Sequence, residues 1–361
     1  MSDRLEALEL AVQAGAGATN AVVADDCGRP SIMVRIPAFR ISEVIPGASD
    51  ALHPAFIVNG VEVPEIYISK YQATVIDGRA YSLPDEVPVV DVSFDDAVQL
   101  CESKGPGWHL MTAAEWAAIA LWCRRNGVMP RGNNDFGKDY RENVRSALPA
   151  TWEAEGGEKQ VGRGEGRVAA VRTGTGPVSW SHNGQTDGIW DLNGNVAEWL
   201  GGCRLLDGEI QVTPGNDAAA QIDLSASSPR WRAIDVEGEL VDPGSDGTLK
   251  LDFRDDRITV STEVQEHTSV TRGATFETAV ADDGLEIPEI LRALALFPAD
   301  DGDHQLNYAY TKTRGERMCM RGSHWNRQSR CGVFALYMCP QRSDTAFMMG
   351  FRAAYVPVAG A

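Results

Sequence analysis

Apolar positions along this chain fall into two periods, and the elements they predict are unevenly spread. Phe94, Ala97, Val98 and Cys101 recur at helical spacing after Ser93 and Asp96, an acidic variant of the capping box. Thr112 and Glu115 form a second box, followed by Trp116, Ile119, Ala120 and Cys123 and closed by Arg124, Arg125 and Gly127. Both patterns predict amphipathic helices, joined by a turn and a short buried segment over Lys104–Met111. Period-two alternation predicts strands over Ser31–Ile41, interrupted at Pro37, and over Glu65–Tyr71. The run Ile76-Asp77-Gly78-Arg79 reads as a turn before Ala80–Leu83. Leu5, Leu8 and Val12 suggest a short N-terminal helix, ended by the Gly/Ala run Ala14–Ala18, that needs a neighbour or a symmetry mate.

The end of the chain is different in kind. Between Val333 and Cys339 strict alternation places Phe334, Leu336 and Met338 on one face and Ala335, Tyr337 and Cys339 on the other. The first set is uniformly apolar and suits a core, whereas the second is chemically mixed. Arg321-Gly322 with Trp325, and Gly350-Phe351-Arg352, bracket this strand. From these residues alone it could equally be a structural hairpin.

The middle of the chain carries less. Pro130–Val178 is rich in Gly, Asn and Arg without periodicity and reads as long loops. Gly162, Gly164 and Gly166 lack the strand and spacing of a phosphate-cradling loop. Gly188–Trp199 is an oxygen-rich turn between two Trp. Asp191, Asn193 and Asn195 resemble the first EF-hand ligands, but Val196 and Gly202 stand where that loop needs Gly and Glu. An EF-hand is rejected, and a different hard-cation site stays open. Segment 204–317, with acidic loops, a strand-like piece over Ile258–Val264 and an apolar run over Ile287–Phe297, reads as a large insertion.

Composition narrows the function classes. At 361 residues and 43% hydrophobic the chain can bury a sizeable core as one large domain or two. A net charge of -18 argues against nucleic acid and anionic membrane surfaces. Seven Cys without a CxxC pair argue against a disulfide framework or a zinc site. The N-terminus has no signal-peptide h-region and no run reaches transmembrane length, so synthesis in the cytoplasm is expected, with the final site open to virion or cell surface.

Taken together, Phe94–Ala120, then the GIWDLNGNVAEW run, then the RGS-x-W opening and the GFR close resemble the sulfatase-modifying-factor branch of the C-type lectin fold. That branch holds formylglycine-generating enzymes and the variable proteins of diversity-generating retroelements, including phage tropism determinants. The resemblance covers Pro64–Trp199 and Met320–Val356. It implies an α+β C-type lectin fold of the formylglycine-generating-enzyme type, two helices packed on small antiparallel sheets with a large insertion. Residues 1–62 would form an N-terminal helix and strand region for oligomerisation or attachment, and 63–361 the lectin-like domain.

The two kinds of relative imply different chemistry. Formylglycine-generating enzymes use two cysteines shortly after the Arg-Gly-Gly motif to bind copper; matched residue by residue, those positions are Arg327 and Gly332. Neither forms a thiolate, so the oxidase reading stands as the alternative without its ligand set. In variable proteins a reverse transcriptase rewrites adenine-bearing codons while scaffold residues stay fixed. The scaffold here would be Arg321, Gly322, Trp325, Ser329, Gly332, Val333, Phe334, Leu336, Met338, Arg342, Ser343 and Gly350–Arg352. The displayed positions would be His324, Asn326, Arg327, Gln328, Arg330, Ala335, Tyr337, Cys339, Asp344, Thr345, Ala346, Phe347 and Met348. Two departures stand out. Ser323 replaces the usual second Gly, and Gln328 and Met348 are not reached from the commonest Asn template codon by adenine changes.

The implied function is non-enzymatic recognition of a macromolecule, a protein on a cell surface, with no cofactor required. Phe347 and Met348 could instead be ordinary core. A calcium-dependent sugar lectin is disfavoured, since no Glu-Pro-Asn or Gln-Pro-Asp triplet occurs. Matched to formylglycine-generating enzymes, a structural calcium would take Asp191, the carbonyls of Gly194 and Val196, and Glu198; otherwise the two carboxylates bond backbone amides and shape the turn without metal.

Overall fold

In a computed structural model that describes residues 10–12, 19–154, 159–161 and 166–357, both capping boxes form as their sequences demand. Ser93 Oγ accepts the Asp96 amide at 3.1 Å and the Asp96 carboxylate accepts the Ser93 amide at 3.1 Å, opening helix α1, Phe94–Glu102. Thr112 and Glu115 exchange the same bonds at 3.1 and 2.9 Å to open α2, Ala113–Arg125. The α2 helix ends as predicted, with Gly127 at φ +68° beyond the cap.

Nine strands suffice to place the site: β1 Asn20–Ala24, β2 Pro30–Pro37, β3 Glu65–Ser69, β4 Trp108–Leu110, β5 Ala197–Leu206, β6 Tyr308–Thr311, β7 Glu316–Gly322, β8 Gly332–Met338 and β9 Ala353–Tyr355. The first sheet runs β1-β2-β3-β9-β4. The second, of twelve strands, has β6-β8-β7-β5 at its centre and continues through Glu209–Val212, Lys250–Arg254 and Arg257–Ser261. The expected turn joins Thr74–Ile76 to Arg79–Tyr81, with Asp77 and Gly78 both at positive φ.

Helix α2 has no solvent face over most of its length, because it lies in one core with both sheets. Val34, Ile36, Ile66 and Ile68 of the first sheet and Leu200, Leu205, Phe334 and Leu336 of the second belong to that core. Trp116 is 1% exposed and its indole N–H donates to the Val333 carbonyl at 2.7 Å, pinning α2 to β8. Truncating such a side chain costs roughly 3–5 kcal/mol. Helix α1 packs in a second cluster with Trp108, Trp199, Met318 and Met320.

Within 20–62, β1 and β2 complete the first sheet by pairing with β3. Segment 204–317 is built into the fold. Its strands extend the second sheet, and β6 runs parallel beside β8. The apolar run at Ile287–Phe297 forms a short helix, Glu289–Ala293, whose Leu291 is buried in the common core. Leu10–Val12 is helical; Leu5, Leu8, Ala14–Ala18 and the glycines at 162 and 164 lie outside the described residues.

Candidate display surface and the scaffold beneath it

The turn for which both a calcium site and a metal-free arrangement stood open is held by side-chain donors. Glu198 and Arg352 are both fully buried and bonded twice, Nε to Oε2 and Nη2 to Oε1, each at 2.6 Å. Arg352 also donates to the carbonyls of Ser69 and Trp190, both at 3.0 Å. The Gln72 amide nitrogen then meets three oxygens at once: Glu198 Oε1 at 2.9 Å, the Val196 carbonyl at 3.0 Å and the Asp191 carbonyl at 3.3 Å. Its other atom accepts from Asn195 at 2.8 Å, which fixes the orientation of the amide. Glu198 and the Val196 carbonyl therefore already face nitrogen donors where a cation would need them free. Asp191 turns away, one carboxylate oxygen accepting the Gly174 amide at 3.0 Å and the other without a partner; burial raises its pKa to about 6. The Gly194 carbonyl is not joined to this cluster by any bond described. These residues do not fit a calcium ligand set. No cluster of three or more His, Cys, Asp and Glu able to hold a metal occurs among the described residues.

Asparagines tie the loops to this turn. Asn133 reaches Asn195 at 3.1 Å and the Ala169 carbonyl at 2.7 Å, and Asn134 reaches Asn193 at 3.1 Å. The start of the unpatterned segment, at Asn133 and Asn134, is thus held by side-chain amides, which carry no periodicity to read.

Above the turn, β7 leaves the sheet through Gly322 at φ +80° and Ser323 at φ +67°. The second is a strained conformation for a residue with a side chain, which here bonds the Tyr337 hydroxyl at 2.7 Å. Arg321 is buried and donates to the carbonyls of Ala295 and Leu294 at 2.7 and 3.3 Å. Trp325, Gly332, Val333, Phe334, Leu336, Met338 and Gly350–Arg352 are buried as a scaffold should be; Ser329 and Arg342 are half-buried and Ser343 is exposed.

The predicted display positions divide. Arg327, Gln328, Arg330 and Thr345 are exposed, and Asn326, Tyr337, Asp344, Ala346, Phe347 and Met348 are half-buried. Three are not on the surface: His324 is 4% exposed, Ala335 0% and Cys339 8%. The cause is visible for each. Between β7 and β8 the register slips, Arg321 opposing Leu336 but Gly322 opposing Gly332, so Val333 to Ala335 bulge and strict alternation fails. Arg317 donates to the Cys339 carbonyl at 3.3 Å, in the layer that closes over that end of β8. His324 lies beneath Arg327, whose Nε donates to its Nε2 at 3.3 Å, and beside the Trp325 ring at 5.5 Å. Burial first, then the Arg327 charge, holds its pKa down at about 3.

Contacts link Arg330, Tyr337 and Phe347 in a row that passes over buried side chains. Arg330 stands over the Tyr308 ring at 4.7 Å; Tyr308, Tyr310 and Tyr337 follow ring to ring at 5.4 and 4.7 Å; Ser323 and His324 lead to Trp325, and Trp325 to Phe347 at 5.1 Å. Phe347 and Met348 are neither free nor core, each packing against the buried cluster that contains Trp325 and Val196. Asp344 and Thr345 lie apart, in a turn closed by Asp344 on the Gln341 amide. Tyr308 and Tyr310 were missed by sequence reasoning. Their alternation over four residues was legible, but nothing local said that β6 would lie beside β8.

The thiols here are inert. Cys331 is buried and bonds the His324 carbonyl at 3.2 Å, and burial raises the pKa of Cys331 and of Cys339 to about 12.

The family model described as the sulfatase-modifying factor enzyme 1-like domain matches residues 5–234. A search of curated proteins returned no match. Among solved structures, Treponema denticola variable protein 1 is similar at 12% identity and a TM-score of 0.35, covering 94% of this chain and 100% of that one. PvdO from Pseudomonas aeruginosa is similar at 15% identity and a TM-score of 0.36, covering 94% of this chain and 98% of that one.

Proposed function

This chain belongs to the sulfatase-modifying factor enzyme 1-like family and has the α+β C-type lectin fold, and from that premise we propose that it is a non-enzymatic recognition protein displaying a variable C-terminal surface. The observation that carries this is the division of one short segment. Residues 326–330 and 344–348 stand at or near the surface, while 321–325, 331–336 and 338–340 and the closing Gly350–Arg352 are buried. A scaffold of that kind lets side chains change where they touch solvent without disturbing the core. Position 327 is an exposed arginine and position 332 a glycine in contact with Asn307, so the sites of the oxidase's two thiols carry no ligand chemistry. The partner is a macromolecule, a protein on a cell surface, engaged by Arg and aromatic side chains of the type that dominate interface energetics.

Two measurements test this reading. The DNA flanking the gene is expected to hold a near-copy of the segment encoding residues 321–352 that differs only at adenines, beside a reverse transcriptase gene. On an array of purified cell-surface proteins, Arg327→Ala, Gln328→Ala and Phe347→Ala are expected to weaken binding to a hit tenfold or more with little change in Tm. Variants that bind every hit as the wild type does would refute the display surface.

A further inference from the structure

The exposed end of the aromatic row combines positive charge with unsatisfied donors. Arg327 and Arg330 are exposed, and neither is in an ion pair among the described residues, although the chain as a whole carries -18. Arg330 is held over Tyr308 at 4.7 Å, and Arg327 is tied to His324 at 3.3 Å, so both guanidinium groups are partly positioned before any ligand arrives. Both charges act on the Tyr310 hydroxyl, which is buried beside Arg330 and satisfied by no other side chain among the described residues. The neighbouring Tyr337 hydroxyl is already satisfied by Ser323. His324 accepts from Arg327 at Nε2, so its own proton sits on Nδ1, and that atom is buried without a partner too.

Buried donors left unpaired are costly, and two fixed guanidinium groups present forked donors suited to planar oxyanions. Resting on the display reading above, we propose that Arg327, Arg330 and Tyr310 form a receptor for a short acidic segment of the protein partner, with Asp or Glu carboxylates seated between the arginines. The overall charge argues for this class over nucleic acid or a sulfated polysaccharide. A long polyanion would have to cross a strongly negative surface, whereas two or three carboxylates lie within about one Debye length, ~8 Å, of the arginine pair. Tyr308 and Tyr310 come from β6, outside the segment 321–352.

Fluorescence anisotropy of fluorescein-labelled hexaglutamate, with hexaglutamine, a heparin hexasaccharide and a single-stranded DNA hexamer as the other arms, tests the proposal on the full chain. Hexaglutamate is expected to bind at least tenfold tighter than hexaglutamine and than either polyanion, and to weaken as NaCl rises from about 50 to 300 mM. Arg327→Ala and Arg330→Ala should each weaken it about tenfold, and Tyr310→Phe, which keeps the ring stack, about threefold, all with unchanged Tm. No preference for hexaglutamate, equal or tighter binding of heparin or DNA, or an Arg327→Ala/Arg330→Ala double variant that binds like the wild type would each overturn it. The array result with Phe347→Ala is independent of this titration, so the display reading can survive when the acidic receptor fails.

Discussion

Replacing Arg352 by Met tests whether donors have taken the place of a cation in the Asp191–Glu198 turn. The substitution removes two 2.6 Å charge-assisted bonds to Glu198 and the donors to the Ser69 and Trp190 carbonyls, leaving a buried carboxylate with only the Gln72 amide. Breaking one side of a buried pair in this way costs about 3–5 kcal/mol. For 361 residues the entropy of unfolding is roughly 0.8 kcal/mol/K, so Tm should fall by about 4–6 °C. The companion Glu198→Gln/Arg352→Met double variant removes the stranded charge and is expected to recover part of that loss, as a double-mutant cycle would show. Differential scanning calorimetry with and without EDTA is the assay. Wild-type Tm should not move with chelator. By contrast, Gln72→Glu, which sets a carboxylate against three oxygens, should be destabilised and partly rescued by millimolar calcium. A chelator-sensitive wild type, or an Arg352→Met shift under about 1 °C, would refute the reasoning.

Acid should destabilise the fold through buried histidines: burial holds the pKa of His53, His182 and His304 at about 4 and that of His324 at about 3, all below the ordinary 6.5. The unfolded chain then takes up protons first, so stability is full above about pH 6.5 and is lost as pH falls towards 4, by up to ~1.4 kcal/mol per pH unit for each His; urea midpoints at pH 7.5 and 5 measure it. Lys104, buried against Trp108 and bonded to Ser31, has its pKa pushed down by burial to about 7. The unfolded state binds its proton more tightly between pH 7 and 10.5, so stability rises with pH across that window, and Lys104→Met should flatten the rise. Ala335→Leu should cost about 1–3 kcal/mol in a packed bulge, whereas Thr345→Leu should stay within about 0.5 kcal/mol; equal denaturant midpoints would contradict the burial of Ala335. A thiol reagent on the native protein should modify Cys27, the exposed cysteine, ahead of the six buried ones.

What the sequence made legible was whatever rests on local chemistry. Capping boxes are read and satisfied within four residues, so Ser93 and Thr112 announced both helices to the residue. Phe334, Leu336 and Met338 were legible as core because a uniformly apolar face has only one place to go. The misreadings arose where distant segments decide. Alternation gave Ala335 to solvent because no local signal marks the slipped register between Gly322 and Gly332. The parallel pairing of β6 with β8 joins residues nearly thirty positions apart, so Tyr308 and Tyr310 looked like part of an insertion rather than neighbours of Tyr337. Asp191 and Glu198 were correctly placed in one turn, but their partners, Gln72 and Arg352, come from opposite ends of the chain.

This division of labour also explains how such a surface could vary at little energetic cost. Stability in the terminal segment is concentrated in Arg321, Trp325, Phe334, Leu336, Phe351 and Arg352, which bond or pack on buried partners such as the Ala295 and Ser69 carbonyls and Glu198 and make no use of Arg327, Gln328 or Thr345. Changing Arg327, Gln328 or Thr345 removes solvent-facing atoms and falls in the range of about ±0.5 kcal/mol usual for surface positions. His324, Ala335 and Cys339 differ, because each fills space enclosed by other residues, so a library spanning 324–348 should return folded members that vary freely at the exposed positions but keep small or isosteric residues at these three. Recovery of charged or bulky residues at 335 as often as at 327 would mean that the bulge is open in solution and the surface is wider than its buried atoms indicate.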